Sequence, residues 1–149
     1  MANKPELTYW HVYTDENGVS RQEKAILSGF KQESMGGDAD PQWNDHIFRG
    51  EVEILFAVHP VGWQGDWHEN PRPQWIIPLS GRWFVETMDG KRVEMSPGEL
   101  SFGADQNTVE DDEGRKGHVS GVVGDEPAHL MVVQLKDDAF IGAKLGVFE

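Results

Sequence analysis

Apolar and polar residues alternate along much of the chain with the period of two that marks half-buried β-strands. Residues 51–59 are the clearest case: Val52, Ile54, Phe56 and Val58 fall on one face, and Glu51, Glu53, Leu55, Ala57 and His59 on the other. Earlier, Leu7, Tyr9 and His11 alternate with Thr8, Trp10 and Val12, and the turn residues Asp15-Glu16-Asn17-Gly18 follow. Residues 7–28 therefore predict a hairpin or two edge strands. Further strands are predicted at 74–79, ended by Ser80-Gly81, at 82–88, ended by the Asp89-Gly90 hairpin signal, and at 91–95, closed by Ser96-Pro97-Gly98. A short strand at 100–102 and two more at 118–123 and 129–135 complete the set. Residues 31–45 are rich in Gly, Asp, Ser and Asn and read as a loop or arm, residues 105–117 as an acidic loop, and the tail 137–149 as room for one helical turn before Gly142.

Strands that arrive about every 8–12 residues with Gly or Pro turns between them have the rhythm of a β-sandwich or small barrel. A chain of 149 residues predicts a single domain, which at this length buries about 70% of the surface exposed by the unfolded chain. There is no fixed-period repeat and no low-complexity tract.

Composition narrows the function. A formal charge of −13, from 26 Asp and Glu against 13 Lys and Arg, repels phosphate backbones and anionic lipid, so neither nucleic acid nor a membrane surface is expected as partner. Cysteine is absent, which excludes disulfides, a thiolate nucleophile and any sulfur-ligated zinc; a metal here needs N and O donors. The segment Met1-Ala2-Asn3-Lys4-Pro5-Glu6 lacks the apolar core of a signal peptide, and no apolar run approaches the ~18 residues that span a bilayer. A cytoplasmic protein is the expectation.

The chemistry concentrates between Gly62 and Gly81. Gly62 is followed after five residues by His68, after one more by Asn70, after three by Gln74 and after six by Gly81. In an extended chain His68 and Asn70 point to one side, and Gln74 joins them after the Pro71–Pro73 bend. This stretch resembles the first motif of the cupin superfamily, which has the same spacing with His at the first two positions and Glu at the third. The resemblance covers about residues 51–135 and includes Gly62, His68, Gly81, Asp89-Gly90 and Pro97-Gly98.

The resemblance implies an all-β, cupin-type jelly-roll barrel over residues 51–136. An N-terminal arm of extra strands over 1–50, which lies against the barrel or swaps onto a partner, would precede it, and a short tail over 137–149 would follow. It also implies a metal or ligand at the barrel centre and a homodimer, consistent with the edges that a short barrel leaves. The family's second-motif His maps to His118. The usual Pro-x-Gly-x-x-His context is absent, because nineteen residues separate Gly98 from His118.

The implied ligand set is thus His68, Asn70, Gln74 and His118, with neutral amides in two of its places. Three readings follow. A divalent metal (Fe, Mn, Ni or Zn) is held by His68, Gln74 and His118, with Asn70 orienting substrate. Alternatively no metal binds, and the same side chains hold an organic ligand while His68 or His118 carries a proton, with Asp105 as orienting partner, acid or base. In the third, the four form a satisfied structural network; unpaired buried polar groups cost about 1–3 kcal/mol each, so a purely structural interior would favour Val, Ile and Leu.

Other candidates surround this set. Trp63, Trp67, Trp75 and Trp83 cluster in sequence, a density that either lines a pocket for a flat or aromatic ligand or packs the core and a dimer interface; Trp83 is a pocket candidate, whereas Trp75 points opposite to Gln74 and suits the core. Arg72, in the Pro71–Pro73 bend, is a better substrate clamp than Arg82. Glu86 has no face that pattern can decide, and His11, His46, His59 and His129 lack ligand-like spacing. The function expected is a small-molecule-binding cupin, an isomerase, lyase or oxygenase if an enzyme; the alternative is a non-catalytic metabolite sensor.

Overall fold

Eleven strands and one 3-10 turn build residues 3–149 in a computed structural model; Met1 and Ala2, the start of the segment read above for a leader, lie outside the described residues. The strands are β1 (Leu7–Thr14), β2 (Ser20–Leu27), β3 (Lys31–Glu33), β4 (Gln42–Asn44), β5 (Val52–His59), β6 (Gln74–Ser80), β7 (Arg82–Thr87), β8 (Arg92–Met95), β9 (Ser101–Ala104), β10 (His118–Val123) and β11 (Ala128–Leu135), with the 3-10 turn at Asp138–Phe140. No helix among the described residues is long and apolar enough to cross a membrane.

The strands form a six-stranded sheet in the order β2-β1-β9-β6-β11-β5, a three-stranded sheet in the order β10-β7-β8, and a β3-β4 ladder. All pairings are antiparallel except β1 with β9, which run parallel in register Trp10–Ser101 to Tyr13–Ala104. The all-β expectation holds. The two larger sheets do not close into a barrel, because the main-chain ladders end at β5 and β2 on one sheet and at β10 and β8 on the other.

Alternation explains the core. Val12, Ile76, Leu130 and Val132 point inward from the larger sheet and meet Trp83, Val85, Val93 and Met95 from the smaller one. A second cluster lies on the other face of the larger sheet, where Tyr9, Leu27, Trp75, Phe102 and Leu135 are covered by Phe30, Ile47 and Phe48 ahead of β5 and by Phe140 and Phe148 of the tail. Residues 7–27 are thereby built into the larger sheet, β1 lying between β2 and β9. Strand β5 turns Leu55, Ala57 and His59 toward the interior and leaves Ile54, Phe56 and Val58 exposed.

Candidate functional site

The segment between β5 and β6 brings the candidate residues together. After a turn closed by the Trp63 N–H donating to Pro60 O (3.0 Å), it runs along the free edge of β10: Gly65 N donates to Ser120 O and Val122 N to Trp63 O, both at 2.9 Å. His68 and His118 exchange two main-chain hydrogen bonds, both 2.9 Å, and their rings stand 4.8 Å apart between centroids. Gly117 makes this pairing available: at φ +62° it turns the chain, and a Cβ there would collide with the main chain of His68.

Behind the two imidazoles lies a buried polar chain whose head is Asp105, just after β9 and fully buried. Its Oδ1 accepts from the Asn70 main-chain N (2.9 Å) and Nδ2 (2.7 Å), and its Oδ2 accepts from His118 Nδ1 (2.7 Å). Asn70 Oδ1 then accepts from Gln74 Nε2 (2.7 Å), and Gln74 Oε1 from Gln134 Nε2 (2.8 Å), while Gln106 Nε2 donates to Asn70 O (3.0 Å). An ionised carboxylate only accepts, so Asp105 fixes the direction of each bond: both amides are oriented, and His118 carries a proton on Nδ1. The Asn70 amide lies where a Cβ of Gly103 would stand, so the close approach of this chain to β9 needs glycine there.

Burial pushes the Asp105 carboxyl up, but the nearby His118 imidazole, its hydrogen bond and those from Asn70 outweigh burial and hold the carboxyl below its ordinary value. The carboxylate is therefore charged at neutral pH. With Nδ1 engaged, Nε2 is the His118 ring nitrogen without a protein partner. His68 is held through Nδ1 by Asp66 O (2.7 Å), so its Nε2 is open in the same way.

His68 and His118 border a cavity of about 140 Å³ between the two sheets, together with Asn70, Gln74 and Ser120. Its apolar wall is Ala57, Trp63, Ile76, Trp83, Leu130 and Val132, and among the described residues no Lys, Arg, Asp or Glu lines it. His59 completes it, stacked on Trp63 at 3.9 Å and 18°. Burial lowers the His59 pKa, and neither His59 Nδ1 nor the indole N–H of Trp83 has a partner among the described residues. His68 also borders an outer hollow of about 410 Å³ that carries Glu69, Thr108, Glu110 and Lys116, so it stands between the cavity and solvent.

His68, Asn70, Gln74, Trp83 and His118 thus meet at one cavity, with Asp105 directly behind His118. Arg72 does not line it: its Nε donates to Leu135 O (3.1 Å) and its guanidinium pairs with Asp138 (2.8 Å), tying the tail to the bend. Trp75 lies in the opposite cluster, Trp67 sits near the Arg115 guanidinium (5.8 Å), Arg82 is exposed, and Glu86 is half-buried on β7. His11 packs beneath the tail, His46 pairs with Glu33, and His129 bonds Ser80. Trp63 is one of the four tryptophans whose clustering in sequence points to a pocket wall, whereas His59 lacks ligand-like spacing and its only pointer is its place on the Leu55 and Ala57 face of an alternating strand.

The donor set bears on a metal. The cavity offers imidazole nitrogens of His59, His68 and His118 without a hydrogen-bond partner, while the amide oxygens of Asn70 and Gln74 already accept hydrogen bonds. Among the described residues no three or more His, Asp or Glu side chains are grouped to hold an ion.

No protein-family model matches the chain, and no curated protein matches it. Among solved structures it is similar to protein NMB1881 from Neisseria meningitidis, at 15% sequence identity and a TM-score of 0.42, over 60% of this chain and 79% of that one.

Proposed function

We propose that this is a cupin-type protein that binds a small organic molecule in the cavity between its sheets and moves a proton on it through His118. The observation that carries this reading is the Asp105–His118 pair. A fully buried carboxylate holds Nδ1–H of an imidazole whose Nε2 has no protein partner, at a cavity with apolar and indole walls. Asp105 orients the ring and stabilises the imidazolium formed when His118 Nε2 accepts a proton; the same proton can then be returned to another atom of the ligand. His68 Nε2 offers a second site for that proton at the cavity mouth. A ligand enolised or dehydrated in this way places the reaction among isomerases and lyases. The cavity volume of about 140 Å³ suits a compact molecule, and the absence of charged lining suits an uncharged one.

The test is to incubate the wild type, His118→Ala and Asp105→Asn with a metabolite extract and to follow every compound by mass spectrometry. Consumption of one compound by the wild type, slowed about 10²- to 10⁴-fold in His118→Ala, is the expected result. Retention of a compound without consumption would replace catalysis with the sensor alternative. One tightly held equivalent of Fe, Mn, Ni or Zn, lost in His68→Ala, would replace proton transfer with a metal site.

A further inference from the structure

Strand β5 presents an open edge of the larger sheet and an uncovered apolar stripe at once. Ile54, Phe56 and Val58 are 54%, 69% and 58% exposed. Residues 30–48 and the tail cover the face of this sheet over Tyr9, Trp75 and Phe102 and stop short of β5. The Glu51 carbonyl accepts from Lys136 N (3.0 Å). Main-chain direction alternates along an antiparallel ladder, so Glu51, Glu53, Leu55, Ala57 and His59 bond β11 and the N–H and C=O groups of Val52, Ile54, Phe56 and Val58 face outward. Those outward groups have no partner among the described residues. Nor is the edge blunted, since β5 contains no Pro and no Lys and its register with β11 is unbroken.

We infer that β5 pairs antiparallel with β5 of a second copy about a two-fold axis at Phe56, joining two larger sheets into one. In that register Phe56 faces Phe56, Ile54 faces Val58, Leu55 faces Ala57 and Glu53 faces His59. The match points to a second copy of this chain: the residues with unpaired main chain are those that carry the apolar stripe, and an acidic residue meets an imidazole at each end. An isologous pairing of this kind also closes on itself, leaving no further edge to extend. Ala57 and His59 line the cavity, so the second copy covers the side of the site bounded by β5 and sets its own Glu53 beside His59. Glu53 pairs with Lys136 within its own chain (3.1 Å), and its carboxylate can also accept a hydrogen bond from the neutral His59 ring of the second copy. Each copy carries −13, so long-range repulsion opposes association and salt strengthens it. The pairing does not depend on what the cavity binds.

The chain has no cysteine, which makes the register directly testable with single-cysteine variants. Directly opposed residues of a hydrogen-bonded antiparallel pair have Cα atoms about 5.5 Å apart, within the ~4.4–6.8 Å that a disulfide spans. Two Ile54 residues would be offset by four positions, about 13 Å, beyond that reach. Under mild oxidation Phe56→Cys is expected to form a covalent dimer and Ile54→Cys to remain uncrosslinked. Sedimentation velocity is expected to show a wild-type dimer at micromolar concentration, in a share that rises between about 0.02 M and about 0.5 M NaCl as the Debye length falls from roughly 20 Å to roughly 4 Å. Phe56→Lys, at an exposed position, is expected to be monomeric with an unchanged far-ultraviolet circular dichroism spectrum, and to melt below the wild type by the share of stability that the dimer supplies. A monomeric wild type at about 100 µM in high salt, a dimeric Phe56→Lys, or equal crosslinking of the two cysteine variants would overturn the pairing.

Discussion

Asp105 organises the site because it can only accept. Three donors converge on it, two from Asn70 and one from His118, and the amide orientations of Asn70 and Gln74 follow from that. Asp105→Asn keeps the shape but puts an NH₂ group where one oxygen stood, so it faces a donor whichever way it turns. The expected cost is about 1–3 kcal/mol of stability for the group left unpaired, read by urea unfolding at neutral pH. Proton transfer should suffer more than stability, since His118 loses the acceptor that fixes Nδ1–H; the ring's ¹⁵N shifts would report the change of tautomer. Unaltered shifts would show that Asp105 does not set the ring. The pH dependence has a definite sign: a carboxyl whose folded pKa is depressed contributes stability above its unfolded value of about 3.9, and this contribution is lost as pH falls through the folded value.

At the scale of elements, the period of two located the strands but not what they face. The runs at 51–59, 74–79, 82–88, 91–95, 118–123 and 129–135 correspond to β5, β6, β7, β8, β10 and β11, because alternation and glycine turns are local signals. The parallel pairing of β1 with β9 joins residues about ninety positions apart, and no local signal encodes it. The inward face of β5 was equally hidden, since its more apolar face is the exposed one, and spacing alone therefore gives no reason to bring His59 to the cavity. The spacing from His68 to Gln74 was legible because side-chain direction along an extended segment is geometric, whereas the reach of Asp105 to His118 depends on how the acidic loop folds back. The pairing of residues 63–68 with β10 can be tested at Gly117. Gly117→Ala would press a methyl group against the His68 main chain in a left-handed conformation, at a cost of about 1–3 kcal/mol. Loss of amide-exchange protection at His68 and His118, with β1 and β2 still protected, is the expected outcome. Protection retained at His68 would mean that the segment is held by other contacts.

For the whole molecule, acid stability sets two opposing effects against each other. The net charge of −13 opposes compaction, and the fall in net negative charge as pH drops relieves that repulsion. His11 acts in the other direction. Its Nε2–H donates to Ala143 O (2.8 Å), so it fastens the tail to β1, while its Nδ1 is buried with no partner beside Tyr9 and Phe102. A second proton would leave a charged N–H without an acceptor, and burial accordingly lowers the pKa from 6.5 to about 4, the bond to Ala143 only partly offsetting it. Between those values the unfolded chain binds a proton at His11 and the folded chain does not, so stability falls as pH drops through that window and levels off below it. At ~1.4 kcal/mol per pKa unit the loss amounts to about 3 kcal/mol. His11→Gln retains a donor for Ala143 and cannot titrate. Its unfolding free energy between pH 7 and pH 4 should therefore follow the charge-relief trend alone, and the difference from wild type should grow toward acid in favour of the variant. Parallel curves for the two proteins would show that the acid response lies elsewhere in the chain.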